Sequence, residues 1–100
     1  MNKEFLVSVI VPTYKRSTEL LKRAVYSILG QTYPNVEIVV VDDNGTKETT
    51  SFRKENLDFF NNLHRSKRNF KFILNEKNMG GSLSRNVGIQ AASGDLITFL

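Results

Sequence analysis

Four short apolar runs divide this chain: LVSVIV at 6–11, VEIVVV at 36–41, FKFIL at 70–74 and DLITFL at 95–100. They are nearly continuous and rich in β-branched residues, as strands buried on both faces are. Pro12 is expected to end the first of them. Between the first two runs, Leu20, Leu21, Ala24, Val25, Ile28 and Leu29 fall at helical spacing. Ser17 or Thr18 can cap that helix, and Glu19 suits its first turn. Gly30 stands where a left-handed stop is expected, with Pro34 just beyond. Residues 46–63 are polar, yet Phe52, Leu57, Phe60 and Leu63 are spaced for one apolar helix face. Residues 75–81 read as a loop and 82–92 as a short helix. The alternation of strand and helix predicts an α/β fold: a mostly parallel sheet with helices on both faces and right-handed crossovers.

A length of 100 residues allows one small domain at most. The apolar fraction of 40% is enough for a core, so disorder throughout is excluded. The chain has no cysteine, which rules out disulfides, thiolate metal sites and a Cys nucleophile; the single histidine, His64, cannot build a histidine zinc site. No apolar run is long enough to span a membrane, and the first residues lack a signal-peptide layout, so a cytoplasmic location is the expectation. The net charge of +4 fits a phosphate-bearing ligand or an anionic surface as well as an ordinary protein. The final run stops in apolar residues, as expected of a fragment truncated after the fourth strand, and such a fragment is prone to self-association through an open sheet edge.

The stretch VVVDDNG at 39–45 ends an apolar run in two adjacent carboxylates and a turn pair. Asp42 and Asp43 can cap the turn, hold a metal or read a ligand. Neighbouring residues at a strand end point in different directions, which disfavours a paired acid and base or a shared metal clamp. Separate tasks fit better: one acid accepts from turn amides, the other from a ligand N–H. In open α/β sheets ligands bind beyond the carboxyl ends of the strands. Pro12, Thr13 and Tyr14 follow the first strand there, and Gly80 and Gly81 precede the last helix. Two glycines let backbone approach a ligand, and the helix start offers free N–H groups to an anion. Arg85, in the first turns, is placed for a phosphate, a base carbonyl or a carboxylate. Asn86 and Gly88 are poor helix formers and mark either function or tight packing.

The basic connector HRSKR at 64–68 reads first as solvated surface, and next as a contact to an anionic membrane face. No nucleic-acid module accompanies it. The turn PTYKRST carries no glycine, which argues against a dinucleotide fingerprint, a P-loop and a sugar nucleotidyltransferase. A receiver domain would need an acid ending a later strand, and none does.

Three segments in this order and spacing, VSVIVPTYKR at 7–16, SILGQTYPNVEIVVVDDNG at 27–45 and NMGGSLSRNVGIQAASGDLITFL at 78–100, resemble the start of a family 2 glycosyltransferase of the GT-A fold. The resemblance covers nearly the whole chain; residues 46–77 are its least typical part. It implies that residues 1–100 are the N-terminal, nucleotide-sugar-binding portion of an incomplete glycosyltransferase domain, a Rossmann-like half. The implied reaction is transfer of a sugar from a nucleotide donor, commonly a UDP-sugar, to an acceptor hydroxyl of a glycan or lipid, in cell-surface polysaccharide or glycan synthesis. By resemblance, Pro12, Thr13 and Tyr14 border the nucleoside, Asp43 accepts the uracil N–H, Asp42 supports the turn, and Gly80, Gly81 and Arg85 lie against the nucleotide. The family's Asp-x-Asp motif, which holds Mg²⁺ or Mn²⁺ on the diphosphate, follows the fourth strand and is absent from this sequence. So are the catalytic base and the acceptor site. The expectation is a metal in the full-length enzyme, none held by this portion, and no transfer activity from the portion alone. The alternative is a non-catalytic nucleotide-binding or regulatory α/β module.

Overall fold

The computed structural model describes residues 5–30, 33–45, 51–65 and 69–100. The elements run β1 (Val7–Thr13), α1 (Thr18–Leu29), β2 (Val36–Asp42), α2 (Ser51–Arg65), β3 (Phe70–Leu74), α3 (Gly81–Ala91) and β4 (Leu96–Phe99). All strand pairs are parallel, in the order β3-β2-β1-β4. The inner strands β1 and β2 are the ones whose sequence runs apolar on both faces.

Period-two alternation sorts the sheet's side chains. Val9, Val11, Ile38 and Val40 face α1 and α2, forming one cluster with Leu21, Val25, Ile28, Phe59, Phe60 and Leu63. Ile10, Val39 and Val41 face the other way, with Val87, Ala91 and Ala92 packed against them. Helices therefore cover both faces, as the alternation predicted. Gly88 lets α3 lie flush on the sheet: a Cβ there would stand 2.5 Å from Ile10 Cγ2. The tight-packing reading of this glycine is the one the fold realises.

Three local expectations differ from the structure. β1 continues through Pro12 to Thr13, in register with Val41 and Asp42. The odd residues of β1 bond to β2 (Val7 N to Asn35 O, Asp43 N to Thr13 O), while Ile10 O accepts from Leu100 N on the β4 side. The missing N–H of Pro12 thus faces the β4 side, past the last β1–β4 pair, Ile10 with Phe99, where the ladder loses nothing. Gly30 ends α1 at φ −81, a right-handed conformation; its N–H still closes the helix on Tyr26 O. The buried face of α2 is Asn56, Phe59, Phe60 and Leu63, with Leu57 half-buried. The side chain of Phe52 and most of the 64–68 connector lie outside the described residues. The edge strand β4 leaves Leu96, Ile97 and Phe99 exposed.

Candidate functional site

The carboxyl ends of β1 and β2 and the amino end of α3 meet at a cavity of about 360 Å³. Its lining includes Pro12, Thr13, Tyr14, Asp43, Gly80, Gly81 and Arg85. Of the eight residues assigned to the nucleotide from sequence, only Asp42 stays out.

The pleat explains that separation. Asp42 continues the Ile38 and Val40 side and turns inward to α2. Its Oδ1 accepts from Asn44 N (2.9 Å) and Asn44 Nδ2 (2.6 Å), and its Oδ2 from Asn56 Nδ2 (3.2 Å). Asn56 Oδ1 in turn accepts from Thr18 Oγ1 (2.8 Å), tying the start of α1 to the end of β2. Asp42 is 0% exposed and serves the turn and the scaffold.

Asp43 continues the Val39 and Val41 side, toward α3. Its Oδ1 accepts from Asn75 Nδ2 and Met79 N, each at 2.8 Å. Its Oδ2 accepts from Asn78 Nδ2 (2.8 Å) and Gly80 N (2.9 Å). Four N–H groups thus match the carboxylate's four acceptor positions. They fold the 75–80 loop around Asp43 and leave Gly80 at φ 90, a conformation that favours glycine. Asn75 Nδ2 also reaches Ser84 Oγ (3.1 Å), which pins the first turn of α3 to the same acid.

Asn44 joins the two loops. Its Oδ1 accepts from Lys15 N (2.8 Å), and Lys15 takes a left-handed φ of 47. The turn after β1 is thereby folded over Tyr14, whose ring is half exposed with the Lys15 ammonium 5.4 Å from its centre. Thr13 Oγ1 is buried with no hydrogen-bond partner among the described residues. Arg16 joins Arg85 in the lining, and among the described residues neither makes an ion pair. A Cβ on Gly81 would meet the Arg85 guanidinium at 3.6 Å, so that group lies beside Gly81 at the start of α3. With the acid's oxygens occupied by N–H donors and two guanidiniums in the lining, the cavity favours an anion. A larger groove, about 570 Å³ between α1 and α2, is lined by helix side chains such as Glu19, Lys22 and Asp58, and no strand end reaches it.

Asn44, Asn56, Asn75, Ser84 and Arg16 carry no site role in the sequence reading, which places Asn78 at this edge only as part of the loop 78–81. Asn75 had a signal: it follows β3 as Asp43 follows β2. So did Asn56, which shares i, i+3, i+4, i+7 spacing with Phe59, Phe60 and Leu63.

The divalent metal that the resemblance implies does not suit these residues. Among the described residues no group of three or more His, Asp or Glu side chains could hold one. Asp42 and Asp43 point to opposite faces, and N–H donors occupy their oxygens.

Comparison with known proteins agrees with this geometry. The family model described as glycosyl transferase family 2 matches residues 8–100. A Campylobacter jejuni protein named GalNAc(5)-diNAcBac-PP-undecaprenol beta-1,3-glucosyltransferase is 37% identical over 95 residues, which cover 94% of this chain and 28% of that protein. The chain thus spans little more than a quarter of that relative's length. The structure of a mannosyltransferase from Pyrobaculum calidifontis, in complex with GDP-Man and Mn²⁺, superposes with a TM-score of 0.70 at 26% identity, over 97% of this chain and 28% of that one. GalNAc-T7 with UDP, GalNAc and Mn²⁺ gives 0.71 at 28% identity, over 93% and 17%.

Proposed function

Because the chain belongs to glycosyl transferase family 2, we propose that its parent protein transfers a sugar from a nucleotide donor to an acceptor hydroxyl in glycan synthesis, and that this chain is the nucleotide-binding part. The carrying observation is the convergence of Thr13, Tyr14, Asp43, Gly80, Gly81 and Arg85 on one cavity at the strand carboxyl ends. Pro12, Thr13 and Tyr14 border the nucleoside, and the open face of Tyr14 offers the base a stacking surface. Asp43 accepts a base N–H in exchange for the Asn78 amide, the donor contributed by an exposed side chain. Asp42 acts from beneath, through the turn. Gly80 and Gly81 admit the nucleotide to the start of α3, and Arg85 and Arg16 face its diphosphate.

UDP is the donor nucleotide we favour from the resemblance; the UDP complex of GalNAc-T7 supports it, and the GDP-Man complex makes GDP the rival. The relative's name supports a lipid-linked glycan as acceptor class. That acceptor, with the basic 64–68 connector, supports a cytoplasmic protein peripheral to the inner membrane face. A bound Mg²⁺ or Mn²⁺ would offset diphosphate charge; among the described residues no group of three or more carboxylate or imidazole side chains is placed to hold it.

The test is titration with UDP, GDP, ADP and NAD followed by amide NMR, with Asp43→Asn as control. UDP-selective shifts at Asp43 and Gly80, lost in the variant, are expected. Selective binding of NAD, or no response to either UDP or GDP, would overturn the reading. Sugar transfer by the full-length protein separates an enzyme from the rival, a nucleotide-binding regulatory module.

A further inference from the structure

At the foot of the sheet, opposite the cavity, a second polar cluster runs from the buried Ser8 and Glu37 out to the half-exposed Lys71 and the exposed Ser93. Glu37 interrupts the apolar run of β2 and is 4% exposed. Its parallel neighbour is Ser8. Glu37 Oε1 accepts from Ser8 Oγ and from Ser93 N, both at 2.8 Å. Glu37 Oε2 lies 3.1 Å from the Lys71 ammonium. That ammonium also donates to Ala91 O (2.6 Å) and Ser93 Oγ (2.5 Å), so its three protons have three acceptors. Ala91 O belongs to the last turn of α3, where carbonyls lack helical partners and a cation is favoured. Ser8 Oγ accepts from Gly94 N (2.9 Å). At Gly94 a Cβ would stand 2.4 Å from that oxygen and 2.8 Å from Ser8 N.

α3 has little apolar grip of its own. Its buried residues are Ser84 and Gly88, whereas α1 buries Leu21, Val25 and Ile28. Leu83 and Ile89 face solvent. The seat is shallow, with Gly88 at its centre and only the half-buried Val87, Ala91 and Ala92 packed on the sheet beside it among the described residues, so apolar contact alone holds the axial position weakly. The polar ties at the two ends set the axial position. An 11-residue helix is about 16 Å long and stiff along its axis, so a shift at one end reappears at the other.

We propose that Glu37 and Lys71 are positioning residues for the cavity: they clamp the carboxyl end of α3 to the foot of the sheet and thereby fix where Gly81, Ser84 and Arg85 stand. For its effect on binding, the inference rests on the nucleotide reading above. Its structural half does not.

The test uses Lys71→Met and Glu37→Gln, with Lys71→Arg as the conservative variant and Ser93→Ala as a milder one that keeps the ion pair. Two quantities are measured under conditions where each variant is fully folded: amide hydrogen exchange, and the UDP dissociation constant. In Lys71→Met, exchange at Gly80, Ser84 and Arg85 should rise about tenfold while the inner β1 and β2 amides stay protected. The dissociation constant should rise roughly three- to tenfold, the size of coupling carried by packed networks. Lys71→Arg should restore most of both, and Ser93→Ala should move both slightly in the same direction. A change confined to residues 91–94, with unaltered UDP affinity in the folded protein, would show a purely structural clamp and overturn the proposal. If the unsubstituted protein binds neither UDP nor GDP, the nucleotide reading fails, and the exchange data alone decide the coupling.

Discussion

On the α1/α2 face of the sheet, ten buried apolar side chains form one continuous cluster. On the α3 face, among the described residues, only Ile10, Val39 and Val41 reach that depth; Val87, Ala91 and Ala92 pack on them half-buried, and carboxylates, amides and one ammonium tie the two ends of the helix. The two faces use different forces for different ends. Apolar burial is strong but non-directional, so it secures a layer without fixing fine position. Hydrogen bonds contribute less net energy but depend on distance and angle. Of the residues proposed to meet the nucleotide, Gly81 and Arg85 stand on the helix held by the directional ties.

The comparison breaks if the α1/α2 face does not dominate stability. Leu21→Ala, at a fully buried position, should cost about 2–5 kcal/mol in urea unfolding. It should leave the amide shifts of Gly80 and Ser84 unchanged in the folded state. A loss no greater than that from substitutions under α3 would contradict the division.

Gly88→Ala probes the other face. Alanine gains roughly 1 kcal/mol in helix propensity. Against that, its Cβ would press a branched, fully buried side chain at 2.5 Å, and overpacking of this kind costs about 1–3 kcal/mol. Net destabilisation with shifted Arg85 resonances is expected. A net gain in stability would mean that α3 rises without resistance.

Lys15→Asn should stabilise by about 0.5–1 kcal/mol, since asparagine tolerates the left-handed backbone that lysine holds at φ 47. Thermal unfolding reads this directly; a lower midpoint would show that the lysine side chain compensates for its backbone.

The smallest expected effect is an acid limb. Burial pushes the Glu37 carboxyl up, but the Ser93 amide, the Ser8 hydroxyl and Lys71 together outweigh it and hold the group below its ordinary value. A lowered carboxyl stabilises the fold above its unfolded value, and that contribution fades as pH falls through the folded value. Wild-type stability should therefore decline on acidification below the usual glutamate range. Glu37→Gln should be less stable near neutrality and flatter in acid. An unchanged acid limb in the variant would assign the effect to other carboxylates.

Order and class of elements were legible in the sequence because each inner strand is apolar on both faces and each helix carries its own period. The apolar runs, the capped start of α1 and the glycines before α3 predicted a parallel α/β sheet with a site at its carboxyl edge. The opposite duties of Asp42 and Asp43 followed in outline from the pleat, but their partners did not. Asn56 reaches Asp42 across 14 residues, and Asn78 reaches Asp43 across 35. Tertiary structure alone decided that Pro12 could remain in a strand, since that depends on where β4 stops pairing. It alone joined Glu37, Lys71 and Ser93 into a clamp, for a charged residue inside an apolar run carries no mark of the partner that makes its burial tolerable. Local pattern determined what each segment is; only the packed sheet, which brings distant polar groups within hydrogen-bonding distance, decided what each polar side chain does.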